Sequence, residues 1–219
     1  MDALAGIVLC GGESSRMGRP KAWLDFGGET LLARTVCTVA SVAAPVVVVA
    51  APLQDLPPLP AGVTIVRDAV PGNGPLQGLA AGLAAVAPHA PAAFVSSTDA
   101  PFLHPAFIRR LAGLRGADHD IVVARTGGHL HALAAVYGVA VLPEIIDRLA
   151  ACRLRLSALF EGARTRIADE ALLLAGEELR AADPSLRSLR NLNTPEEYAA
   201  ALAEAGLSTL PGPSSTIAR

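Results

Sequence analysis

The stretch Leu9-Cys10-Gly11-Gly12-Glu13-Ser14-Ser15-Arg16-Met17-Gly18-Arg19-Pro20-Lys21 carries the residue types that hold a polyphosphate. Adjacent glycines lack Cβ atoms, so the backbone can take positive φ and turn successive N–H groups toward one anion. Ser14 and Ser15 add hydroxyl donors. Arg16 offers a planar fork for phosphate oxygens, and Lys21 a mobile point charge that can follow negative charge onto a leaving group. Gly18 and Pro20 constrain the path between these cations.

Two familiar phosphate loops do not fit. A Walker A loop sets its lysine directly after a glycine, whereas Arg19-Pro20 separates Gly18 from Lys21, and the dinucleotide pattern Gly-x-Gly-x-x-Gly is missing. Taken alone, the stretch could also be a glycine-rich surface turn with scattered charges. Its full pattern, Leu-x-Gly-Gly-x-Ser-x-Arg-Met-Gly-x-x-Lys, resembles the signature of nucleotidyltransferases that take an NMP unit from an NTP. The form with paired glycines resembles the molybdenum cofactor guanylyltransferases.

These groups need elements to position them. The apolar run Ala5 to Leu9 reads as a strand feeding the loop, and Thr30 to Val42 has helical spacing. Val46-Val47-Val48-Val49-Ala50 is a β-branched run with little alternation, as expected of a strand covered on both faces. Strands alternating with helices predict a doubly wound α/β sheet. Past the stiff segment Pro57-Pro58-Leu59-Pro60, a third strand at Val63 to Val66 ends at Arg67-Asp68, and strand ends carry the chemistry in such sheets. Gly74-Pro75-Leu76-Gln77-Gly78 opens a helix whose first N–H groups point above the sheet; by itself it is equally an ordinary helix start.

A fourth strand, Ala93 to Ser97, runs into Thr98-Asp99-Ala100-Pro101, with a helix starting near Pro105. Asp99 therefore lies at a strand's carboxyl end, where it could cap a turn or join Gly11, Gly12 and Lys21 at one sheet edge. Asp120 to Ala124 and His131 to Tyr137 predict a β-pair around Thr126-Gly127-Gly128. His129 and His131 share a face, but two histidines without a third ligand make a poor zinc centre. Leu142 to Leu149 reads as a helix, and Arg153 to Phe160 as a short one with its arginines outward. Ala168 to Ala182 is helix-prone without a clear period. Asn191-Leu192-Asn193-Thr194-Pro195-Glu196-Glu197 is a helix start, with Thr194 as N-cap and Glu197 closing a capping box.

The 219 residues suit one large domain or two small ones, and a 52% hydrophobic content suffices for a buried core. Eighteen basic against twenty acidic residues argue against a general nucleic-acid surface, which depends on accumulated positive charge. The most apolar stretch, Val42 to Pro52, is too short to span a bilayer, and Met1-Asp2-Ala3-Leu4 has no basic leader. A cytoplasmic protein with neither nucleic-acid nor membrane partners is expected. Cys10, Cys37 and Cys152 lack a Cys-x-x-Cys pair and are expected to be reduced core thiols.

The resemblance runs from Gly6 to Ala205 through four separated motifs in the family's order. It implies a mostly parallel, Rossmann-like sheet of the nucleotidyltransferase type with an antiparallel extension, spanning residues 1–207 before a tail at 208–219 expected to be disordered. The implied reaction is attack by the terminal phosphate of molybdopterin on the α-phosphorus of GTP, with Mg²⁺ as cofactor and release of pyrophosphate. Partners would be GTP, molybdopterin or the molybdenum cofactor, and molybdoenzyme maturation proteins. Matching motifs carry over Leu9, Cys10, Gly11, Gly12, Ser14, Lys21, Asp68, Pro75, Leu76, Gly78 and Asp99 as nucleotide-binding residues. Lys21, Arg16 and Asp99 carry over as catalytic, with Asp99 on the metal, and Asn193, Asn191 and His131 as supporting residues. The chain departs from the family in having Ser97-Thr98 before the aspartate and in lacking a proline after His131. Alternatives are a cytidylyltransferase on the same fold, and a non-catalytic pterin or nucleotide binder. Lys21 and Asp99 count against the binder, which would not need a metal-holding carboxylate.

Overall fold

The computed structural model describes residues 3–11, 20–68 and 72–207. Gly12, Ser14 and Arg16 of the glycine-rich loop, and the tail 208–219, lie outside the described residues. The strands are β1 (Leu4–Leu9), β2 (Val46–Ala50), β3 (Thr64–Arg67), β4 (Ala92–Ser97), β5 (Ile121–Thr126), β6 (His129–Gly138) and β7 (Thr165–Asp169). They form one sheet in the order β3-β2-β1-β4-β6-β5-β7. β6 is antiparallel to both its neighbours, and the remaining pairs are parallel. The expected doubly wound, mostly parallel sheet with an antiparallel extension is what is found.

Helices cover both faces: α1 (Leu31–Ala40), α2 (Gly74–Val86), α3 (Pro105–Arg115), α4 (Leu142–Ala150), α5 (Leu159–Gly162), α6 (Glu170–Leu174), α7 (Glu177–Ala182) and α8 (Pro195–Glu204). Alternation along each strand divides the core. Val8 and Phe94 pack with Leu32, Val36, Phe107 and Leu111 of α1 and α3, while Ile7 and Val95 pack with Leu76, Leu79 and Leu83 of α2. Each such side chain removed from water contributes about 1.5–3 kcal/mol. Gly82 lets α2 approach β1 closely, since a Cβ there would lie 2.6 Å from Ile7 Cγ2. A third, smaller core joins Leu24, Phe26 and Leu31 to Leu192, Ala201 and Leu202, so α8 is anchored beside the loop that follows β1.

Local chemistry accounts for the clearest boundaries. Thr30 Oγ1 accepts from the Ala33 N–H at the start of α1. Gly127 and Gly128 both have positive φ, 53° and 80°, as a two-residue hairpin turn between β5 and β6 requires. Thr194 and Glu197 form the expected capping box of α8.

Three expectations are corrected. The segment Ala168 to Ala182 is not one helix: its first residues end β7, and α6 and α7 follow as separate short helices. β7 is an edge strand with one fully buried side chain, Ala168, and its strand form rests on pairing with β5. Helix in the segment Arg153 to Phe160 begins only with a 3-10 turn at Leu156–Ala158, after exposed Arg153 and Arg155. The cysteines are free, but only Cys10 packs against the core. Cys37 is exposed on α1, Cys152 is exposed just after α4, and Cys10 is half-buried. No described helix is long and apolar enough to cross a membrane.

Candidate active site

The carboxyl ends of β1 and β4 lie side by side, with Leu9 opposite Ser97. β2 flanks β1 on its other side. Where successive connections leave a parallel sheet in opposite directions, a crevice opens beyond the strand ends. Lys21 reaches it from the loop after β1, Asp99 from the end of β4, and Asn193 from the segment leading into α8.

The three side chains meet. Lys21 Nζ donates to Asp99 Oδ2 at 2.6 Å and to Asn193 Oδ1 at 3.0 Å. The Lys21 and Asp99 side chains are only 22% and 12% exposed, so their attraction is less screened than that of a surface pair. Ser97 Oγ donates to the other carboxylate oxygen, Asp99 Oδ1, at 2.6 Å. Asp99 also accepts at its carbonyl from the Leu192 N–H, at 2.9 Å, which ties the segment carrying Asn193 to the end of β4. The Asn193 N–H donates to Glu197 Oε2, so the capping box of α8 also holds Asn193. Thr98 sews the two strand ends together: its hydroxyl donates to the Leu9 carbonyl, and its own carbonyl accepts from Thr35 Oγ1.

Cys10 and Gly11 extend β1, the Cys10 N–H donating to the Val49 carbonyl at 2.8 Å. Burial raises the Cys10 thiol above its ordinary pKa, against smaller lowering effects of hydrogen bonds with Thr98 and Gln54. Pro75, Leu76 and Gly78 occupy the first turns of α2. Leu76 is fully buried, and a Cβ on Gly78 would touch Leu9 Cδ2 at 3.4 Å. The two glycine-containing segments are thus adjacent at the sheet edge. Asp68 directly follows β3, its N–H donating to the Ala50 carbonyl. Asn191 is exposed, two residues before Asn193.

His131 lies beyond the Ser96–Ala134 pair, past the end of β4. Its Nε2 is 2.7 Å from Thr126 Oγ1. Burial, followed by the charge of His129, lowers its pKa. Among the described residues no three His, Cys, Asp or Glu side chains gather as a metal cluster. The donor set instead fits a hard cation that takes most of its ligands from water and phosphate. Asp99 and Asn193 already converge two oxygens on one positive charge, the Lys21 ammonium.

Two residues were not singled out from the sequence. Ser97 ends β4 and Asp99 lies two residues on, in the turn that follows, so alternation along the strand does not predict their contact. Gln54 bridges the ends of β1 and β2, and its only local signal is the Pro52 turn that precedes it.

Residues 6–166 match the model of the MobA-like NTP transferase domain. A relative from Mycobacterium avium, named "Probable molybdenum cofactor guanylyltransferase", is 41% identical over 92% of this chain and 96% of its own. One of the same name from Mycobacterium tuberculosis is 38% identical over 87% of this chain and 89% of its own. Among solved structures, molybdopterin-guanine dinucleotide biosynthesis protein A from Archaeoglobus fulgidus aligns with a TM-score of 0.73 at 19% identity, covering 93% of this chain and 99% of that one. The 2-C-methyl-D-erythritol 4-phosphate cytidylyltransferase from Thermus thermophilus aligns at 0.61 with 18% identity, covering 93% and 100%. At these identities the structures establish a shared fold alone. The family model spans most of the chain, and the relatives match 87–92% of it at 38–41% identity; the chain belongs to the MobA-like NTP transferase family.

Proposed function

We propose that this protein transfers GMP from GTP to the terminal phosphate of molybdopterin and releases pyrophosphate. The observation that carries the reading is the meeting of Lys21, Asp99 and Asn193 at the switch point of the sheet. The names of the relatives supply the acceptor and the base.

An attacking phosphate monoester is largely dianionic near neutral pH, so the reaction needs no general base. Its oxygen forms a bond to the α-phosphorus as the bond from that phosphorus to the bridging oxygen breaks, and the electron pair leaves with pyrophosphate. What remains for the protein is to align the reactants and neutralise charge. In this reading Lys21 and Arg16 take up charge on the departing pyrophosphate, and Gly11, Gly12 and Ser14 hold the polyphosphate. Leu9, Cys10, Pro75, Leu76 and Gly78 border the nucleotide, with Asp68 at its base or ribose. His131 supports the acceptor side, and Asn191 the site as a whole.

Asp99, helped by Asn193, would hold Mg²⁺. Bound there, the ion would supply charge neutralisation to the transferring phosphate. Ser97 keeps the Asp99 carboxylate oriented through its 2.6 Å hydrogen bond.

The fold also serves a cytidylyltransferase, so the experiment must compare bases. Purified protein is incubated with molybdopterin, Mg²⁺ and each NTP in turn, and the products are identified by mass. A guanine dinucleotide and pyrophosphate are expected. A cytosine dinucleotide would overturn the base assignment, and binding without pyrophosphate release would favour a non-catalytic carrier.

A further inference from the structure

We infer that Gln54 is a positioning residue for the nucleotide loop: its carboxamide is wedged between the ends of β1 and β2 and sets the orientation of the Cys10–Gly11 peptide. The inference rests on the proposed nucleotidyl transfer and adds to it a residue outside the glycine-rich motif.

β1 and β2 pair in parallel up to Leu9 and Val49, and the Cys10 N–H still reaches the Val49 carbonyl. The next rung of such a ladder would run from the Ala51 N–H to the Cys10 carbonyl. Instead the Gln54 side chain is inserted there. Its Oε1 accepts from the Ala51 N–H at 3.1 Å, and its Nε2 donates to the Cys10 carbonyl at 3.0 Å. The amide stands in for a peptide unit and holds the strands apart where the crevice begins. Its orientation follows from its partners, since a flipped amide would face carbonyl with carbonyl and N–H with N–H.

The wedge is itself held. Ala51 to Gln54 is a turn closed by the Gln54 N–H on the Ala51 carbonyl at 3.2 Å, with Pro52 at its second position, where a fixed φ favours the bend. Arg67, at the end of β3, donates to the carbonyls of Ala51 and Gln54 at 3.0 and 2.7 Å.

The consequence for the site follows from peptide planarity. In a trans peptide the C=O of one residue and the N–H of the next point in opposite directions. Holding the Cys10 carbonyl toward Gln54 therefore aims the Gly11 N–H away from it, which fixes one donor of the loop before any nucleotide arrives. A donor already aimed loses less entropy on binding.

The test uses the full chain with Gln54→Leu, which keeps bulk and loses the carboxamide's hydrogen bonds to Ala51 and Cys10, the 3.4 Å one to Cys10 Sγ included, and Gln54→Glu, which sets an oxygen against the Cys10 carbonyl. Affinity is measured calorimetrically for whichever nucleoside triphosphate the wild-type protein binds most tightly, alongside melting temperature and the KM for each substrate. Either folded variant is expected to lose about tenfold or more in nucleotide affinity and in kcat/KM for the nucleotide, with acceptor KM within about twofold. Nucleotide affinity within about twofold of wild type, or equal rises in both KM values, would overturn the inference. A wild-type preference for a base other than guanine would overturn the guanylyl reading while leaving the Gln54 comparison in force. No nucleotide binding by wild type would overturn both.

Discussion

Lys21 Nζ lies 2.6 Å from Asp99 Oδ2, and the two residues are separated by 78 positions in the chain. The same ammonium meets Asn193, 172 positions away. In the proposed reaction this cation, held by a carboxylate and an amide at the switch point of the sheet, would exchange its protein partners for phosphate ones.

Lys21→Ala is expected to lower kcat more than it weakens GTP binding. The ammonium gains value as charge moves to pyrophosphate, and stabilisation confined to the transition state appears in kcat. Steady-state kinetics beside calorimetric GTP affinity checks this. Normal turnover at saturating GTP with much weaker binding would make Lys21 a ground-state anchor.

Asp99→Asn keeps the shape of the side chain and removes its charge. Activity is expected to fall about a hundredfold or more, as for loss of a central electrostatic group. Circular dichroism should show an intact fold. Near-normal activity with unchanged Mg²⁺ dependence would leave Asp99 as a local turn residue.

Ser97→Ala deletes the donor to Asp99 Oδ1 and leaves Asp99 with Lys21. A hydrogen bond to a charged group contributes about 1.5–3 kcal/mol, so a loss of about tenfold to a hundredfold in kcat/KM is expected. A titration of activity against Mg²⁺ should shift to higher metal concentration. An unchanged titration would show that the carboxylate is oriented without Ser97.

His131 has a pKa lowered by burial and by the charge of His129. A lowered folded-state value means that the unfolded chain binds the proton more readily. Stability is therefore expected to fall as pH drops through the ordinary histidine range toward the lower folded value. Urea unfolding at a series of pH values should show a shallower acid loss in His131→Asn than in wild type. Identical slopes would assign the acid sensitivity to other groups.

GTP is expected to exceed CTP by about tenfold to a hundredfold in kcat/KM, because a wrong base leaves polar edges buried without partners. In the proposed reaction the Gly11 N–H and the backbone of the segment Gly74 to Gly78 would read guanine's polar edge without a charged side chain. Competition between the two nucleotides in one reaction gives the ratio directly. Equal use would overturn the base while sparing the metal and phosphate roles.

Much of the scaffold was legible because its signals are local. The run Val46 to Val49 announces a strand covered on both faces, and all five residues of β2 are buried. Gly127-Gly128 announces the hairpin, and Thr194-Pro195-Glu196-Glu197 the start of α8. β7 was not legible. Thr165-Arg166-Ile167-Ala168-Asp169 is short and mostly partly exposed, and its strand form is supplied by pairing with β5.

The sequence alone determined the types of group present: a glycine-rich strand exit, a lysine after it, an aspartate at a later strand end and an asparagine before a capped helix. Each depends on covalent neighbours, through φ preferences, capping and strand spacing. Tertiary structure decided which of them meet. Parallel pairing of Leu9 with Ser97 put two strand ends side by side, and the Leu192–Asp99 hydrogen bond drew Asn193 to them. It also put Gln54 between β1 and β2. Contacts across such separations depend on how whole strands and helices bury their apolar faces, and no local pattern of residues encodes that.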